Sequence, residues 1–289
     1  MRRRPLALAV LATTALAVTA CAPQESSSDA AASGSSGGGS CAPADLDTVA
    51  DDTLTIATDQ PAYEPWMVDD DPTNGEGYES AVAYAVAEQL GYTEDQVEWT
   101  RVQFNTAISP GDKSFDFDIN QFTINDERRQ AVDFSSPYYT ATQAVITTAG
   151  SAADGATSLA DLQDLRLGAQ VATTSLTVLT DVIDPTTDPV VFNTNDDAKL
   201  ALQNGQVDAI VVDLPTAFYI TSAELDDGVI VGQVADSGES GDQFGLLLAK
   251  DSPLTDCVSQ AVDALEADGT LADLQDQWLS QAADAPVLN

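Results

Sequence analysis

The chain has 289 residues, with 47 acidic side chains against 10 basic ones, no histidine and a formal net charge of −37. That imbalance excludes nucleic acid and anionic membrane surfaces as partners of a folded domain. The missing histidine excludes Ser-His-Asp and Cys-His catalysis and any histidine-ligated metal. The first residues read as an export signal: Arg2, Arg3 and Arg4 precede an apolar run from Leu6 to Val18 that is too short to span a membrane.

That run ends in Val18-Thr19-Ala20-Cys21, small residues before a cysteine, which resembles a bacterial lipoprotein signal covering residues 1–20. The resemblance implies that Cys21 carries the lipid and tethers the chain to the outer face of the cell membrane. The alternative is an ordinary secretory signal with an incidental cysteine. Residues 22–40 are Ser, Gly and Ala with almost nothing to bury, so 21–44 is expected to form the anchor and a flexible linker. Losing the signal would leave seven basic residues among 47 acids, a net charge near −40. With Cys21 assigned to lipid, Cys41 and Cys257 remain. An even remainder in an exported chain predicts a disulfide, the alternative being two buried free thiols.

From about residue 45 short apolar runs alternate with helical stripes, the pattern of an α/β fold. Leu54 to Thr58 predicts a strand. Tyr78, Val82, Val86 and Leu90 predict a helix stopped at Gly91. Val97 to Val102 and Phe115 to Ile119 read as strands. Asp69-Asp70-Asp71-Pro72-Thr73-Asn74-Gly75 lacks the glycine and glutamate offsets of a calcium loop and reads as an acidic surface turn. Gln143 to Thr148 is an apolar strand placed to cross between lobes. In the second half, Ser158 to Asp161 form a capping box, Arg166 to Val171 a strand, and Thr173-Thr174-Ser175 a helix start. Asp196 to Asn204 predicts a helix stopped at Gly205. Val207 to Val212 predicts a buried strand ending at Asp213. Phe244 to Ala249 predicts the last strand, Ser252-Pro253 a helix start with proline at the first position, and Thr270 to Ser280 a final helix. Two lobes suit this length better than one large sheet.

Thr123-Ile124-Asn125-Asp126-Glu127-Arg128-Arg129 is the most specific stretch, because an arginine in so acidic a chain is suited to hold an anion. Together with Ala172-Thr173-Thr174-Ser175 and the strand Val207–Val212 leading to Asp213, it resembles the amino-acid-type solute-binding proteins of bacterial ABC importers, solute-binding protein family 3. The resemblance covers about residues 52–280. It implies a two-lobed, type II periplasmic-binding-protein-like fold, each lobe a mixed sheet flanked by helices, joined by two hinge strands. The expected boundaries are 45–141 and 244–289 for the first lobe and 142–243 for the second.

The resemblance also implies roles. Arg128 would clamp a ligand α-carboxylate, with Thr123, Thr173 and Thr174 adding hydroxyl and amide donors, and Asp213 would take the α-ammonium. Asp59, Tyr63 and Trp66, with Phe104 opposite, would line the side-chain pocket. Gln121 and Ala172 stand where the family has a small residue and a glycine, respectively. Arg129 reads as surface, and Asp208 as structural. The implied protein is a monomeric, lipid-anchored receptor that closes on a free amino acid, polar or cationic, and delivers it to ABC permease subunits. It would be no enzyme and need no cofactor or metal. The alternatives are an enzyme on the same fold, such as a cyclohexadienyl-type dehydratase, and a ligand sensor.

Overall fold

The computed structural model describes residues 40–234, 241–279 and 285–288. The signal segment, Cys21 and the linker as far as residue 39 lie outside the described residues. The chain enters as β1 (Leu54–Thr58), whose five residues are all buried, as an uninterrupted apolar run requires of a central parallel strand. It continues through α1 (Tyr78–Gln89), β2 (Val97–Arg101), α2 (Phe104–Ala107), β3 (Phe117–Asp118) and β4 (Val132–Ala141). β2 and β3 flank β1 in parallel. The sheet is completed much later in the sequence by β10 (Asp242–Ala249), antiparallel between β3 and β4.

Tyr78, Val82 and Val86 of α1 are buried at the i, i+4 spacing that covers one helix face. The helix stops where Gly91 takes φ +89°. Its start is fixed by Gly77, since a Cβ there would lie 2.5 Å from the Trp66 carbonyl oxygen, and that carbonyl accepts the Glu79 amide at 2.9 Å. Only glycine allows this approach, and the approach sets where the Glu79 side chain enters the core.

At Thr142 the chain leaves the first sheet and begins the second: β5 (Gln143–Thr148), β6 (Leu167–Gln170), α3 (Thr174–Val178), β7 (Val190–Phe192), α4 (Asn195–Gln203), β8 (Ala209–Asp213), α5 (Leu214–Tyr219) and β9 (Gly228–Val234). The capping box at Ser158 and Asp161 is formed, around a short 3-10 turn. β5 lies antiparallel between β8 and β9, with Gln143 directly opposite Asp213. Two apolar clusters cover the two faces of this sheet, one centred on Ile146, Ile210 and Leu202 and the other on Val145, Val211 and Leu167.

β10 returns the chain to the first lobe, followed by α6 (Thr255–Asp268) and α7 (Thr270–Trp278), which pack on α1. α6 begins two residues later than the Ser252-Pro253 signal suggests. Ser252 closes a turn on the amides of Leu254 and Thr255, so Pro253 sits in that turn and not in the helix. The expected boundary of the first lobe also needs correction at its end. β11 (Val287–Leu288) pairs with β9 in the second sheet, where Leu288 is 1% exposed. Cys41 and Cys257 are joined, with Cα atoms 5.5 Å apart, which fastens the segment before β1 to α6. Among the described residues no helix is long and apolar enough to cross a membrane.

Candidate ligand-binding cleft

Arg128 sits in a 3-10 turn between β3 and β4, its amide accepted by Asn125 Oδ1 at 2.8 Å. Its guanidinium is only 8% exposed and lies 5.4 Å from the centre of the Phe104 ring, which stacks on Phe122. Nη1 donates to the Thr123 carbonyl at 2.8 Å, while Nη2 reaches across to the second lobe and donates to the Ala172 carbonyl at 2.9 Å. Burial pulls the Arg128 pKa down, opposed by the carboxylates of Asp242, Asp213 and Glu127. An arginine starts so high that it stays charged at any physiological pH.

The facing wall belongs to the second lobe. Thr173 is the N-cap of α3, its hydroxyl accepting from the Leu176 amide at 3.2 Å and donating to the Gln170 carbonyl at 2.7 Å. Thr174 places its hydroxyl 3.3 Å from that of Thr123, so the two lobes touch through this pair. Ala172 before them adopts φ +62°, the left-handed conformation that a glycine enters freely. Asp213, at the carboxyl end of β8, accepts from Gln143 Nε2 at 2.6 Å. Burial first and the charge of Asp242 second push its carboxyl up to about 7.

The remaining wall comes from the first lobe. Asp59 accepts the amides of Gln60 at 2.6 Å and Phe104 at 3.2 Å, and burial raises its pKa despite them. The Tyr63 hydroxyl accepts the amide of Asp196 in the first turn of α4, another contact between lobes. Gln121 takes φ +48°, held there by Glu79: its backbone amide donates to Glu79 Oε1 at 2.8 Å and its side-chain amide to Oε2. Glu79 is fully buried, also accepts from the Tyr138 hydroxyl, and is raised to about 7 by burial.

Asp59, Tyr63, Phe104 and Gln121 thus line one cleft with Arg128, Thr173, Thr174 and Asp213. Thr123 stands just behind, touching Arg128 and Thr174. Trp66 does not line it and is corrected here. Its indole is 0% exposed, packed against Tyr78, Tyr139 and Phe244, with Nε1 donating to Thr216 at 2.8 Å. The turn at Tyr63 directs the ring inward beneath the strands that join the lobes. Four polar lining residues escaped sequence reasoning, namely Asn120, Gln170, Ser175 and Asn195. Ser175 and Asn195 open helices, and that position is the one signal that could have pointed to them. Arg101 pairs with Asp70 at 2.8 Å and donates to the Asp59 carbonyl from behind the cleft, and Lys113 donates to the Ser109 carbonyl; neither lines the cleft, so Arg128 is its cation among the described residues. Arg166 pairs with Asp208 at 2.8 Å, a structural tie at the foot of β8. No group of three or more metal-ligating side chains occurs among the described residues. The free space is about 30 Å³, the room of about one water. A ligand the size of an amino acid therefore enters only when the lobes separate.

A buried guanidinium on one lobe facing a carboxylate on the other, across a cleft bridged by hydroxyls, is the architecture of a two-lobed solute-binding protein. Residues 54–281 match the profile of the bacterial extracellular solute-binding proteins, family 3, and the chain belongs to that family. It is 27% identical to the L-arginine-binding protein of Pseudomonas aeruginosa, over 78% of this chain and 90% of that one. It is 30% identical to the L-cystine-binding protein TcyJ of Escherichia coli K12, over 75% and 79%. Among solved structures, an ancestral arginine-binding protein bound to arginine superposes with a TM-score of 0.65 at 29% identity, covering 78% of this chain and 97% of that one.

Proposed function

We propose that this protein is a lipid-anchored receptor that captures an amino acid between its lobes and presents it to the membrane subunits of an ABC importer. The observation that carries the reading is the opposition of Arg128 and Asp213. A guanidinium fork suits a carboxylate and a carboxylate suits an ammonium, so one α-amino acid satisfies both across the cleft. The ligand stabilises the closed form by making both contacts only there.

The preferred side chain is polar or cationic. Asp59 and Gln121 face the cleft, Asp118 and Glu79 are buried close to them, and among the described residues no second cation lines the cleft to balance a ligand carboxylate. The names of the arginine and cystine relatives agree with that choice. Attachment through Cys21 would hold the binding domain at the outer membrane face, reached by the Ser/Gly/Ala stretch that follows.

Thermal-shift screening of the mature chain against the twenty amino acids tests the reading. A ligand at 100 times its Kd adds about 2.7 kcal/mol of stability. The expected result is a shift with a polar or cationic amino acid that Arg128→Ala abolishes. No shift with any of them overturns the zwitterion clamp. Labelling of the wild type, but not of Cys21→Ser, by a fatty-acid analogue in the expressing bacterium tests the anchor separately.

A further inference from the structure

Gln143 occupies an unusual position. It begins β5, the strand that carries the chain out of the first lobe, and is 4% exposed. Its Nε2 donates to Asp213 Oδ1 at 2.6 Å and to Asp242 Oδ2 at 2.8 Å. Its Oε1 accepts from the Ser175 hydroxyl at 2.7 Å, which fixes the amide so that the NH₂ end faces both acids. Asp242 begins β10, the returning hinge strand, and Asp213 ends β8, so three strands meet at one primary amide. An amide NH₂ has two protons, and here each is directed at a different carboxylate.

Among the described residues, four charged or titratable groups act on Asp213. Asp242 comes from β10 and Glu79 from α1, Arg128 from the turn before β4, and Tyr139 from β4 itself. Arg128 is the cation among these described groups, and it is already bonded to the Thr123 and Ala172 carbonyls. Two acids a hydrogen bond away from the same neutral amide repel each other, and a ligand ammonium relieves that repulsion.

We infer that Asp242 is a positioning residue for the ammonium site: through their shared donor Gln143 it places Asp213 and, by its own negative charge, keeps a proton on the pair, so that capturing a ligand ammonium displaces that proton. The inference rests on the reading of the cleft as an amino-acid site and adds a residue from the hinge to it. Its sign follows from the chemistry. Asp213 is held up to about 7 before binding, and the ammonium needs it ionised. Affinity therefore rises with pH towards that value and is flat above it. Removing the charge of Asp242 lowers the midpoint.

The test is calorimetry of the mature protein with L-arginine, or, should arginine give no heat, with the amino acid giving the largest thermal shift, from pH 5 to 8.5. The wild type is expected to lose about tenfold in affinity per pH unit below the midpoint, and Asp242→Asn to move that midpoint down by about one unit, with Asp242→Glu restoring it. An unchanged midpoint in Asp242→Asn, or a wild-type affinity independent of pH, overturns the inference while leaving the receptor reading intact. Should Asp242→Asn fail to fold, titration of the wild type at pH 7 in two buffers of different ionisation enthalpy decides the matter: proton release supports the inference and none refutes it. Absence of binding by any amino acid at any pH removes the receptor reading, and the inference with it.

Discussion

Trp66 of the first lobe and Thr216 of the second are joined by a hydrogen bond of 2.8 Å, Nε1 to Oγ1, between two residues that are 0% and 2% exposed. Thr216 lies in the first turn of α5, directly after Asp213. The bond thus ties the loop following β1 to the helix that starts next to Asp213. Lobe opening has to strain or break this contact along with those of Arg128, Thr123 and Tyr63.

Thr216→Val keeps the shape of the side chain and leaves the indole N–H without its partner, a loss of about 1–3 kcal/mol. We expect lower thermal stability and a several-fold weaker amino-acid affinity, since the bond favours the closed arrangement. Trp66 fluorescence followed during titration gives the second readout. Unchanged affinity with a lowered melting temperature would confine the contact to folding.

Arg128→Lys preserves the charge and loses the fork. A lysine offers a point charge where two N–H groups now reach carbonyls of different lobes. Binding should weaken by at least about 30-fold, equivalent to about 2 kcal/mol. Calorimetry that finds lysine within threefold of arginine would mean that charge alone carries the contact.

Glu79 makes stability depend on pH in a defined direction. Its folded pKa, near 7, is above its ordinary value because burial disfavours the charge. The folded state therefore binds a proton that the unfolded state releases first. The stabilisation is complete below about pH 4.5 and is lost as pH rises through 7, a change of about 3 kcal/mol. Glu79→Gln should flatten the part of the urea-denaturation profile between pH 5 and 7.5. A wild-type stability that rises over this range, with Glu79→Gln parallel to it, contradicts the assignment.

Ala172→Gly tests the backbone of the second-lobe loop. A left-handed alanine costs about 1–2 kcal/mol, and glycine returns part of that through its freer unfolded chain. With φ at +62°, a net gain of up to about 1 kcal/mol is expected, seen as a rise in melting temperature. A fall would show that the Ala172 methyl makes packing contacts worth more than the strain.

Much of this arrangement was legible in the sequence because it depends on local spacing. The interval from Thr123 to Arg128 fits one turn, and an aspartate after four buried residues has to emerge at the end of a strand. The Gln143 junction was not legible. Its partners lie 70 and 99 residues away, and no local pattern announces which three strands will meet. Trp66 misled for a related reason: an aromatic next to a predicted pocket loop looks the same whether its ring turns outward or into the core. The isolated pair Val287–Leu288 is too short to carry a strand period, so its place in the second sheet came from pairing alone.

That short strand gives the second sheet an edge drawn from the far end of the sequence. Leu279 packs in the core of the first lobe and Leu288 in that of the second, so the last described residues contribute to both cores. Gly232 makes the seat possible, because a Cβ there would lie 2.6 Å from the Pro286 carbonyl oxygen. By pairing in parallel with β9, β11 fastens the end of the chain to the edge of the sheet that carries Asp213.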